Sequence, residues 1–154
     1  MRYRAALAIV LAVSVLAPAS PAIAGARGND RRLQKVAHER INTLRAENGM
    51  HKLRRSRSLT RSASAYAGYM LRSGYFGHLP RIQASGSYRS LGEVILKHPG
   101  RHGRPRTAVN SWARSGAHRF VLLGHRYRQI GVGKASGWFR GRRVTIWVAH
   151  IGRK

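Results

Sequence analysis

Apolar residues recur along this chain in periods that separate its elements. Leu33, Val36, Ala37, Ile41 and Leu44 follow the three- and four-residue spacing of a helix that buries one face; Asn29 or Asp30 is placed to cap it and Gly49 to end it. After Leu53 a second helical stripe runs through Leu59, Ala63, Tyr66, Ala67, Met70 and Leu71, with Ser58 as its expected cap and Gly74 as its stop. Ser85 to Ser90 is polar and reads as a loop, and Gly92-Glu93-Val94-Ile95-Leu96 is an apolar run of strand length. Lys97 to Pro105 is rich in proline, glycine and charge, so a loop is expected there, with His98 and His102 in solvent.

From Arg106 a third helical stripe carries Ala108, Val109, Trp112 and Ala113 to a break at Gly116, and Phe120 to Leu123 reads as a short apolar turn. Two strands, about 126–134 and 143–151, are expected to form an antiparallel hairpin around a loop holding Gly137 and Gly141. Runs such as Val144-Thr145-Ile146-Trp147-Val148-Ala149 are apolar on both faces, which requires cover on both sides. The order therefore predicts an α+β fold, a small antiparallel sheet between helices, in one domain. Trp112 and Trp147 fall on buried stripes; Trp138 is placed either to pack locally or, with Arg140, to contact a ligand.

The first residues change the setting. Met1-Arg2-Tyr3-Arg4 is basic, Ala5 to Leu16 is apolar, and Ala22-Ile23-Ala24 has the small-x-small form of a cleavage site. Residues 1–24 are thus expected to be a signal peptide, too short in its apolar part for a membrane anchor, and residues 25–154 the exported domain. No cysteine is present, which excludes disulfides and thiolate metal sites. The charge is far from balanced: 30 Lys and Arg stand against 4 Asp and Glu, a formal +26. Such a surface seeks polyanions; for an exported protein these are wall polymers, lipid headgroups or acidic polysaccharides of the envelope or a host surface, ahead of nucleic acid.

With so few acids, a carboxylate at Glu93 beside Gly92, lying in sequence between His78 and His118, is the candidate site. In order and spacing, Ile41-Asn42-x-x-Arg45, Phe76-Gly77-His78, Gly92-Glu93, Trp112-x-x-Ser115-x-x-His118 and Ile130-Gly131-Val132-Gly133 resemble the CAP superfamily, the SCP-like domain of cysteine-rich secretory proteins, in its short bacterial secreted form. The resemblance implies an α-β-α sandwich with a cavity in which two histidines and two glutamates can meet. It carries His78 and His118 over as the two histidines, able to hold a divalent metal such as zinc, and Glu93 as the first glutamate. Ser115 stands where longer members place the second glutamate, and Val94 replaces the asparagine that follows the first.

Three functions compete. One is a secreted, non-enzymatic module that binds a ligand or envelope component through His78, Glu93, His118 and Ser115 and an Arg-rich face. Another is a metal-dependent hydrolase, with Glu93 acting on a water or Ser115 as nucleophile, although no G-x-S-x-G or H-E-x-x-H motif supports it. The last is a polycationic nucleic-acid-binding or antimicrobial protein acting by charge alone. The plainer reading of the three side chains is that they hydrogen-bond one another and tie loops over the sheet.

Overall fold

The computed structural model describes residues 21–101 and 103–154, with side chains from residue 30 onward. The elements run α1 (Pro21–Glu47), β1 (Arg54–Arg55), α2 (Arg57–Ser73), β2 (Ser90–Pro99), α3 (Pro105–Arg114), α4 (Gly116–Leu122), β3 (Gln129–Phe139) and β4 (Arg142–Arg153). Apart from its last four residues, which open α1, the expected signal peptide lies outside the described residues, as does His102.

The strands form one sheet in the order β1-β3-β4-β2. β4 is antiparallel to both β2 and β3. Its side chains alternate: Val144, Ile146 and Val148 join Ala63, Tyr66, Ala67 and Met70 of α2 on one face. Trp147, Ala149 and Ile151 join Ala37 and Ile41 of α1, Val109 and Trp112 of α3 and Leu122 of α4 on the other. This is the expected sandwich, and it explains why β4 is apolar at both parities. Trp112 and Trp147 are both core, and the Trp112 indole N–H donates to the Ile95 carbonyl at 3.0 Å.

Several boundaries differ from the periodic reading, each for a local reason. α1 starts well before Asn29 and Asp30, through a stretch rich in alanine, the best helix former. The cap of α2 is Ser56 rather than Ser58: the Ser56 hydroxyl accepts from the Leu59 N–H at 3.3 Å, whereas the Ser58 hydroxyl donates to the Ser85 carbonyl. β2 continues through Lys97 and His98 to Pro99 because β4 is its sole neighbour; on an edge strand a proline without an N–H is tolerated. Phe120 to Leu122 completes α4 instead of forming a turn. The β3–β4 connection shrinks to Arg140 and Gly141, both at positive φ (47° and 77°), so Gly137 lies within β3 opposite Val144. The two-residue β1 pairs parallel with β3, which makes the sheet mixed.

Two motif residues fix the far side. The Asn42 side chain receives the Leu53 N–H at 2.8 Å and donates to the Leu53 carbonyl at 3.1 Å, holding the segment that leads into β1. Arg45, wholly buried, donates from Nη1 to the Leu122 carbonyl at 2.6 Å and from Nε to the His51 carbonyl at 2.9 Å, joining the end of α1 to α4. Burial, then repulsion from Arg128, lowers its pKa.

The closest packing is between α2 and β3. A Cβ on Gly131 would fall 2.0 Å from the Thr60 nitrogen, and one on Gly133 would fall 2.2 Å from the Ala63 carbonyl carbon. Both obstacles are backbone, so neither can swing aside. Gly131→Ala is expected to destabilise the fold beyond the ~1–3 kcal/mol usual for overpacking. Gly137→Ala, whose Cβ would meet only the Leu71 side chain at 3.1 Å, should cost about 1 kcal/mol. Urea denaturation of the two variants tests the contrast; equal losses would contradict the backbone contact.

Candidate functional site

Glu93 and His150 are directly opposed on β2 and β4, on the sheet face covered by α2. Glu93 retains 6% side-chain exposure and His150 none. One carboxylate oxygen, Oε2, accepts from the His150 Nε2–H at 2.9 Å; the other, Oε1, accepts from the His78 Nδ1–H at 2.8 Å and from the Leu79 N–H at 3.2 Å. The opposite nitrogen of His150, Nδ1, is hydrogen-bonded to the Ser62 hydroxyl of α2 at 2.9 Å. A continuous relay therefore runs Ser62, His150, Glu93, His78, from the buried face of α2 to the protein surface.

Tyr66 positions the outer end. Its hydroxyl donates to the Gly77 carbonyl, the residue before His78, and its ring stacks near His150 with centroids 6.4 Å apart. Burial, then the Glu93 charge and the neighbouring tyrosines, pushes the Tyr66 phenol up to about 12, so it remains a donor.

Burial alone would push the Glu93 carboxyl up. Hydrogen bonds from His150 and His78, the His150 charge and the Leu79 N–H outweigh it, and the net pKa falls below the ordinary 4.5. Glu93 is thus ionised and accepts only. His78, 57% exposed at its side chain, keeps Nε2 as its free ring nitrogen. His118 of α4 faces it with ring centroids 6.4 Å apart. Burial, then the His78 charge, lowers the His118 pKa from 6.5, which favours the neutral imidazole.

The structure brings His78, Glu93 and His118 to one edge of the sheet. Ser115 lies at the joint between α3 and α4, where its side chain makes no capping hydrogen bond. Ser62 and His150 were not among the sequence candidates. His150 had left one signal: a titratable residue inside an apolar strand, at a buried parity position, requires a polar partner.

Two imidazoles fit a labile divalent site in part. The carboxylate on His78 Nδ1 is the usual device for orienting a ligating imidazole. Among the described residues, however, no group of three or more His, Cys, Asp or Glu could hold an ion. The Ser62–His150–Glu93 geometry has the connectivity of a nucleophile, base and orienter. His150 is fully enclosed and Ser62 nearly so, which denies a substrate access.

A family model described as the cysteine-rich secretory protein family, CAP, matches residues 38–151. The chain belongs to this family. Among solved structures, the CAP chain is similar to an extracellular protein containing an SCP domain from Bacillus anthracis (TM-score 0.70, 18% identity), covering 90% of this chain and 45% of that one. It is also similar to an outer surface protein from Borrelia burgdorferi (TM-score 0.63, 18% identity, 78% and 91% covered). A cysteine-rich secretory protein from Staphylococcus aureus follows (TM-score 0.57, 16% identity, 81% and 39% covered). This CAP chain spans less than half the length of the Bacillus and Staphylococcus proteins, and these likenesses concern the fold. No curated protein matches the sequence.

Removing the Glu93 carboxylate leaves the buried His150 N–H without its acceptor, so Glu93→Ala should cost ~1–3 kcal/mol. Ser62→Ala should cost ~1–3 kcal/mol through His150 Nδ1. Chemical denaturation measures both.

Acid should weaken the fold in two stages in chelator-treated buffer. The lowered His118 pKa means the unfolded chain takes up a proton first as pH falls below 6.5. The lowered Glu93 pKa contributes stability above 4.5 that is lost as pH falls through the folded value. Urea midpoints at several pH values should decline in both windows, and Glu93→Gln should abolish the lower one. A lower window that persists in this variant would contradict the assignment.

Proposed function

We propose that this CAP protein is a secreted, non-enzymatic binding module of the cell surface or its surroundings, held by the Glu93 clasp and attracted to anionic polymers or lipid headgroups of an envelope. The observation that carries the reading is the absence of charge compensation. Among the described residues, only Lys35 and Lys134 of all the lysines and arginines pair with a carboxylate, Glu39 and Asp30 respectively. No arginine does, and the remaining site carboxylate, Glu93, is committed to its own chain. The extracellular and outer-surface proteins that share the fold support the location. No helix of the described residues is long and apolar enough to cross a membrane.

A metal-binding reading is favoured by one specific observation, the Glu93–His78 hydrogen bond that leaves Nε2 free beside His118. His78 and His118 would hold the ion, which would supply Lewis acidity toward a ligand through its remaining positions. Glu93 orients His78, and Tyr66 fixes the loop that carries it.

Affinity for an anionic polysaccharide is expected to fall by at least ~10³ between 50 and 200 mM salt, as for proteins making six or more phosphate contacts. The His78→Ala plus His118→Ala double variant should follow the same curve. Affinity indifferent to salt would refute the polyanion reading. Zinc calorimetry on the same pair tests the metal: heat in the wild type and none in the variant is expected, and equal traces would exclude the two-histidine site.

A further inference from the structure

At one end of the sheet, where β2 begins, β4 ends and the chain turns into β3, Arg89, Arg126, Arg128 and Arg153 line a cleft of about 350 Å³ with Ser90 and His125. The backbones of Arg89, Arg128 and Arg153 are tied to the sheet. The Arg89 N–H donates to the Arg153 carbonyl at 2.8 Å, and the Arg128 N–H donates to the Gly152 carbonyl at 3.0 Å. Arg128 is held further, since its Nη1 donates to the His125 carbonyl at 2.7 Å and to the Tyr127 carbonyl at 3.0 Å.

None of the four arginines takes part in an ion pair among the described residues. Four like charges brought to one cleft repel one another and weaken the fold unless an anion joins them. A second observation points the same way. The Ser90 hydroxyl is buried and has no hydrogen-bond partner, although buried polar groups are nearly always satisfied.

We infer that this cleft is a binding site for a phosphate group, carried by a soluble phosphate ester or by a lipid headgroup. Guanidinium forks match the tetrahedral oxyanion with paired N–H donors, and the Ser90 hydroxyl adds a further donor. The inference deepens the polyanion reading: attraction is general over the surface, whereas phosphate is captured at one place.

The test is titration of the full chain with inorganic pyrophosphate by calorimetry. Arg89→Gln plus Arg153→Gln should weaken binding roughly tenfold or more. The control, Arg106→Gln plus Arg142→Gln, removes the same charge from exposed positions away from the cleft and should change affinity by less than about twofold. Ser90→Ala, which leaves the charge intact, should weaken binding by roughly threefold to tenfold. Equal losses in the two double variants, or no pyrophosphate binding by the wild type, would overturn the site while leaving salt-dependent polyanion binding intact.

Vesicles of phosphatidylglycerol identify the source. Release of the wild type by pyrophosphate assigns the phosphate to a headgroup, and vesicle binding untouched by saturating pyrophosphate assigns it to a soluble ester.

Discussion

The structure depends on α2 lying directly on the backbone of β3. Gly131 and Gly133 leave nothing between helix and strand, so the helix sits closer than any side chain would permit. From that depth Ser62 reaches His150, Tyr66 covers the His150 ring, and the chain leaving α2 at Gly74 returns over the sheet edge with His78 in reach of Glu93. A helix lifted by one methyl group would lose the Ser62 contact and displace the loop that Tyr66 holds. The glycine pair is a packing device, and the side-chain relay is its consequence.

Within that frame a single carboxylate joins three segments that are distant in sequence. Glu93 lies on the edge strand, His150 on a central strand and His78 on the loop after α2, and each of its oxygens accepts at least one hydrogen bond. In a chain with four acids this is a strong constraint on the fold. It also accounts for the chemistry of the edge: an ionised, fully engaged carboxylate is a poor base for a substrate and a good orienter of an imidazole. His78 consequently presents one ring nitrogen outward beside His118.

Much of this was legible in sequence because the informative signals were local. Helical stripes marked α1, α2 and α3, and the doubly apolar run marked β4 as sandwiched. The order of His78, Glu93 and His118 among glycine motifs singled out three side chains that the fold brings together at one edge of the sheet. What escaped detection depended on tertiary pairing. Arg54 and Arg55 carry no strand pattern and become β1 only because β3 lies alongside. Pro99 looks like a loop residue until β2 is known to be an edge. His150 looks like an interruption of an apolar strand until Glu93 and Ser62 are seen on either side of its ring. The arginine cleft was invisible for the same reason, since its four members come from three segments that meet only at the sheet end.

The central claim is that an ionised Glu93 accepts from both imidazoles. Long-range proton–nitrogen NMR of the histidine rings in the metal-free protein at neutral pH tests it most directly. The account predicts a proton on His150 Nε2 and a proton on His78 Nδ1, each shifted downfield by the carboxylate it faces. A bare Nε2 on His150 or a bare Nδ1 on His78 would contradict it, because an ionised carboxylate has no proton to give in return.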